Sequence, residues 1–141
     1  MVLFRNGGTE LLLARRAGEA DFNATYTLTG GKLETTDGSI VNGLKREKTE
    51  ELGKAVHIKI CPFASFNVYF VKHNGQHMIL PHYYAEYVKG KIQLSDEYSD
   101  FRWIPTQQLA SFTPKIENII EIANWAQRVR TILGPKDFVE I

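Results

Sequence analysis

The hydrophobic pattern changes period several times along the chain, and each change marks an expected element. Met1, Val2, Leu3 and Phe4 form an apolar run that stops at Asn6, Gly7 and Gly8, a composition suited to a tight hairpin turn. Leu11, Leu12, Leu13 and Ala14 resume it as a buried strand that ends at Arg15 and Arg16. Residues 17–25 are small and polar and read as a loop. Residues 26–29 alternate Tyr, Thr, Leu, Thr, as a strand does, and run into Gly30 and Gly31.

Between Ser39 and Gly53 the period lengthens to that of a helix. Ser39 suits an N-cap and Gly53 a terminator. Ile40, Val41, Leu44 and Leu52 mark its buried side, with Glu47 and Glu51 near the edge of that side. Gly43 in mid-helix costs about 1 kcal/mol relative to alanine, which points to a neighbouring backbone packed closely there. Residues 55–72 are rich in β-branched and aromatic side chains and read as a strand bent at Pro62. The chain then turns over 73–76, returns as a strand over 77–88, turns at Lys89 and Gly90, and starts a short strand over 91–94. The polar run 95–100 reads as a loop and 101–105 as a short strand. From Pro114, a residue at home in a first helical turn, Ile116, Ile119, Ile120, Ala123, Ala126 and Val129 recur at helical spacing. The order of strands, helix, strands, helix defines an α+β chain, compatible with a sheet sandwiched between helices.

Bulk properties narrow the classes. At 141 residues the chain reads as one domain over 1–141, long enough to bury about two-thirds of its unfolded surface. A formal net charge of +1 gives no global field for a nucleic-acid polymer or a membrane surface. No apolar run approaches the roughly 20 residues that span a bilayer. There is no basic leader with an apolar core either, so the expected location is cytoplasmic. The single cysteine, Cys61, excludes an internal disulfide and reads as a small buried hydrophobe. His57, His73, His77 and His82 lack metal-binding spacing and read as structural.

Glu47, Glu50 and Glu51 stand at relative positions 0, +3 and +4, which share one helix face. Like charges so placed repel by a few tenths of a kcal/mol per pair, so the cluster is either a solvated face or a cation site. Arg46 precedes it, Gly53 follows it, and the turn Gly30, Gly31, Lys32, Leu33, Glu34 lies upstream. Together these residues resemble the signature of the Nudix hydrolases: Gly, five residues, Glu, seven residues, Arg-Glu, an apolar residue, any residue, Glu-Glu, any residue, Gly, and an apolar residue. Counted from Gly31, the first acid of the pattern falls on Asp37, one residue too far from Arg46. A one-residue insertion in the loop 35–38, with Asp37 in place of the usual glutamate, restores the register. Lys48 and Lys54 depart from the pattern, which prefers apolar residues there.

The resemblance implies the Nudix fold, a mixed β-sheet between helices in an α/β/α sandwich. It also implies Mg²⁺- or Mn²⁺-dependent hydrolysis of a diphosphate linkage in a small nucleotide, either a nucleoside triphosphate or a nucleotide sugar. Glu47 and Glu51 would be the main metal ligands, supplemented by Glu50 and by the Gly31 carbonyl. Arg46 would pair with Asp37 or Glu34 and hold the loop against the helix. Glu50 is one candidate catalytic acid. A second is Glu97, six residues before Trp103, with Asp96 and Asp100 in reserve. Trp103 itself reads as core. Phe66, Tyr69, Phe70, Tyr83 and Tyr84 alternate along two expected strands and read mostly as core, although such rings can also stack on bases. Arg15 and Arg16 could meet phosphate at a strand end. Thr29 stands where many members place a proline. The asparagine with which relatives read oxidised guanine has no counterpart in register, Asn118 being the nearest. Members usually carry several residues before the first strand, whereas Met1 falls inside it. An edge left bare there would attract pairing, and a second copy of the chain, forming a homodimer, is a candidate to cover it. The alternative reading is a Nudix-fold binding module without catalysis, motivated by Gly38, Lys48, Lys54 and the insertion, with a lysine beside the acids standing in for a metal's charge.

Overall fold

The computed structural model describes residues 1–18 and 21–141; Glu19 and Ala20, within the loop expected over 17–25, lie outside the described residues. Seven strands form one mixed sheet: β1 Val2–Arg5, β2 Glu10–Arg16, β3 Tyr26–Thr27, β4 His57–Val71, β5 His77–Lys89, β6 Tyr98–Pro105 and β7 Val139–Glu140. β2 is the hub. Along one side it pairs antiparallel with β6, and along the other it meets β1 and then β3 end to end. β1 continues the sheet by a parallel pairing with β5, which runs antiparallel to β4, and β4 pairs with β7. Leu11, Leu12, Leu13 and Ala14 are all buried because helices cover both faces of this hub.

Helix α1, Ile40–Leu52, lies on one face and α2, Ile119–Ile132, on the other. Leu44 and Leu52 of α1 join Met1, Leu3, Leu12, Ile58 and Ile60 in one core. Ile119, Ile122, Ala123 and Ala126 of α2 join Val2, Phe4, Leu11, Leu13 and Tyr84 in the other. Odd and even positions of the same strands feed opposite cores, as strand alternation requires.

Several sequence expectations need correcting. β1 is flanked by β2 and β5, so its shortness bares no sheet edge and the homodimer loses its motive. Residues 91–94 form no strand; the Gln93 N–H donates to the Leu52 carbonyl at 2.9 Å and so closes the end of α1. β6 begins at Tyr98, inside the run read as a loop, because Tyr98 pairs with Arg16 across a bulge at Ser99 of β6. α2 starts at Ile119 rather than Pro114. Residues 114–116 spend their backbone groups on β3 instead: Tyr26 N–H donates to Pro114 O (3.1 Å) and Ile116 N–H to Tyr26 O (3.2 Å). β7 has two residues, too few for any periodicity to reveal. The bend at Pro62 is a register shift between Ile60 and Ser65. Beyond it β4 and β5 pair with each other past the reach of β1 and β7, leaving Tyr69 and Ile79 exposed rather than in the core.

Candidate active site

Ser39 caps α1, its Oγ accepting from the Asn42 N–H at 3.1 Å, and the Gly53 N–H closes the far end on Thr49 O at 3.2 Å. The inward face differs from the expected one. Ile40 is exposed, and the buried positions are Gly43, Leu44, Glu47, Lys48, Glu51 and Leu52. Two adjacent stripes therefore face the sheet, one of Leu44, Lys48 and Leu52 and one of Glu47 and Glu51. The two glutamates are only 8% and 3% exposed, well inside the edge position expected for them. Lys48 fills an apolar slot with its methylenes, and its ammonium donates to the Val56 carbonyl at 2.8 Å. Its head group is thus engaged at the end of the helix and does not stand beside the acids.

The glycine turn closes over the glutamates. A Cβ on Gly31 would sit 2.6 Å from Glu47 Oε1, so a side chain there would push the Glu47 carboxylate from its place. The Gly30 N–H donates to Glu51 Oε2, and the Tyr98 hydroxyl donates to Glu51 Oε1 at 2.8 Å. Burial raises Glu51 to about 7 against the Tyr98 hydroxyl, the Met1 ammonium and Arg16, and it raises Glu47 as well, opposed by Arg46.

Arg46 organises the loop side. Its Nε and one terminal nitrogen form a fork on Asp37 at 2.9 and 3.1 Å, which holds the Asp37 carboxyl below the usual range. Arg46 also donates to Lys32 O (2.8 Å), Glu47 Oε1 (2.7 Å) and Glu50 Oε2 (2.9 Å), so it does not turn away from the acid cluster. Glu34 lies apart from this fork. Its N–H donates to Asp37 Oδ2 at 2.7 Å, in a reciprocal cap of the short 3₁₀ turn Thr35–Asp37. Gly38 ends the turn at φ 66°, where a side chain would be strained. Gly43 accommodates the side chains of Leu33 and Asp37, not a neighbouring backbone.

Of the remaining candidates, Glu97 is half-exposed and pairs with Arg16 at 3.0 Å, close enough to act electrostatically on Glu47. The Arg16 guanidinium lies 4.8 Å from the centre of the Tyr98 ring. Arg15 is exposed and donates to Ala24 O at 3.2 Å, so its head group is directed at the loop rather than the acids. Asp96 is exposed at the loop tip, and Asp100 is bound by Tyr26 and Arg102. Trp103 packs between Tyr87 and Arg5. On the opposite face, Asn118 lines a groove of about 520 Å³ with Phe66, Trp125, Asn124 and Arg128. Cys61 is buried, and burial lowers His82 to about 4. Sequence reasoning missed Tyr98, whose signal was the alternation of Tyr98 and Asp100 with Ser99 within an apparently polar run.

Among the described residues, His, Cys, Asp and Glu nowhere gather in threes around one point; Glu50 is half-exposed and drawn to Arg46. The donor set nevertheless suits a hard divalent cation. Two buried carboxylates stand one helical turn apart beside a Cβ-free backbone, and burial makes their charge costly without a cation.

The NUDIX domain family model matches residues 1–126, and the chain belongs to the Nudix family. Among solved structures, the MutT protein from Methanosarcina mazei Go1 is similar at 23% identity over 91% of this chain and 89% of that one, with a TM-score of 0.70. The NUDIX domain of Shewanella oneidensis NrtR, solved in complex with ADP ribose, is 20% identical over 92% and 84%, with a TM-score of 0.68. A NUDIX family hydrolase from Clostridium perfringens is 18% identical over 91% and 94%, with a TM-score of 0.67. At these identities the likeness is one of fold. No curated protein gives a match.

Proposed function

We propose that this chain hydrolyses a diphosphate linkage in a small nucleotide, a nucleoside triphosphate or a nucleotide sugar, with Mg²⁺ or Mn²⁺ as cofactor. The observation that carries the reading is the pair of buried carboxylates, Glu47 and Glu51, under the Gly30 and Gly31 turn. Glu47 and Glu51 would hold the metal, with Glu50 and the Gly31 carbonyl beside them. When bound, the cation would neutralise phosphate charge and lower the pKa of water. The Arg46 fork on Asp37 fixes the glycine turn against α1 and thereby sets where a diphosphate can approach. Glu50 and Glu97 both reach solvent, each tethered to an arginine, and we assign them the removal of a proton from water. Arg16 is the better placed of the two strand-end arginines to meet phosphate.

The NrtR domain with ADP ribose gives a second reading some weight, that of a nucleotide-binding module without catalysis. Arg46 already occupies Glu47 and Glu50, as a stand-in cation would. A panel of nucleoside triphosphates and nucleotide sugars, assayed with Mg²⁺ for phosphate, pyrophosphate or monophosphate release, separates the two. Turnover of one class of compound supports hydrolysis, and tight binding without turnover supports the module.

A further inference from the structure

Glu47 and Glu51 lie on one stripe of α1, but their oxygens are held by different chemistry. Glu47 is held by a cation, since its Oε1 accepts from Arg46 at 2.7 Å. Glu51 is held by neutral donors, one on each oxygen: the Tyr98 hydroxyl on Oε1 at 2.8 Å and the Gly30 N–H on Oε2. A carboxylate offers about four lone-pair sites. Two are taken here, and with one donor per oxygen both the tilt and the rotation of the group are fixed. The two neutral donors orient the Glu51 group, while the Met1 ammonium and Arg16 act on its charge without a hydrogen bond; on Glu47 one arginine does both.

We infer that Tyr98 is a positioning residue, which presents the Glu51 carboxylate to the divalent cation in its binding orientation; the inference rests on the hydrolase reading above. Tyr98 is only 5% exposed, and at that depth a hydroxyl needs a partner. Its ring is set in turn by the Arg16 guanidinium, which Glu97 holds from the solvent side. The backbone reinforces the arrangement. Ser95 N–H donates to Glu51 O at 3.2 Å and Tyr98 N–H to Ser95 O at 3.1 Å, tying the loop before β6 to the same turn of the helix. Tyr98 touches neither substrate nor metal in this scheme and acts through Glu51 alone.

The test compares wild type, Tyr98→Phe and Glu51→Gln in metal affinity and in turnover. Mn²⁺ binding is read on the protein without substrate, by electron paramagnetic resonance of free Mn²⁺, beside thermal unfolding in metal-free buffer. Tyr98→Phe is expected to melt close to wild type, to bind Mn²⁺ about 10-fold more weakly, and to lose about 10- to 100-fold in kcat with KM little changed. Tyr98→Leu reads the same quantities should the phenylalanine variant fail to fold. Wild-type Mn²⁺ affinity and kcat in a folded Tyr98 variant, with both lost in Glu51→Gln, would overturn this inference and leave the hydrolase reading intact. A wild-type protein that neither binds Mn²⁺ nor turns over nucleotide would overturn that reading and this one with it.

Discussion

Lys48 and His82 show how far burial alone decides the behaviour of a side chain. Lys48 interrupts the stripe between Leu44 and Leu52, yet its stem packs as an apolar residue would and its ammonium finds one carbonyl. Since that ammonium is directed away from the acids, Lys48→Met should keep turnover at the wild-type level and leave stability unchanged or higher. Urea unfolding and a nucleotide hydrolysis assay check both halves. His82 sits against Phe66 O, and burial lowers it from 6.5 to about 4. Between those pH values the unfolded chain binds a proton that the folded chain refuses. Stability is therefore intact above pH 6.5 and falls as the pH drops toward 4. Each tenfold change in proton affinity is worth ~1.4 kcal/mol, so the loss reaches about 2–3 kcal/mol. Urea midpoints compared at pH 7 and pH 4.5 should show it in the wild type, and His82→Gln should lose this part of the slope.

At the scale of elements, α1 and the loop before it behave as one unit. Gly43 makes room for Leu33 and Asp37, the residue that Arg46 grips. In a free helix Gly43→Ala would gain about 1 kcal/mol. Here the added methyl would meet Asp37 Oδ2 at 2.9 Å and Leu33 more closely still. The variant should therefore lower the melting temperature and weaken Mg²⁺-dependent turnover together; a stabilised and active variant would show that the loop yields freely. The legibility of the sequence follows the same division. α1 was readable because its cap, its terminator and its acid spacing are all local. β1, β2, β4 and β5 were readable from apolar runs and turn residues. The start of α2 was not, because residues 114–116 give their hydrogen bonds to β3, a partner 88 residues upstream of Pro114. Nor was the depth of Glu47 and Glu51 in the core, since burial of charge depends on what the glycine turn and Tyr98 supply from elsewhere in the chain. Spacing alone allows Arg46 to pair with either Asp37 or Glu34, and the 3₁₀ turn Thr35–Asp37 presents Asp37 to it.

On the scale of the whole molecule, the sheet separates two cores and the candidate site belongs to one of them. β2 brings Arg16 to the strand end, β3 delivers the glycine turn, α1 supplies the acids and β6 supplies Tyr98 from 47 residues beyond Glu51, so four segments meet at one place. Among the described residues, no helix is long and apolar enough to cross a membrane. In the proposed hydrolase, Glu51 would anchor a divalent cation for diphosphate hydrolysis. The most direct measurement is Mg²⁺-dependent kcat on the best substrate of the nucleotide panel, wild type against Glu51→Gln, with circular dichroism and melting temperature recorded in parallel. A folded variant slowed by about 100-fold or more is the predicted result. A folded variant that turns over at the wild-type rate would contradict the account.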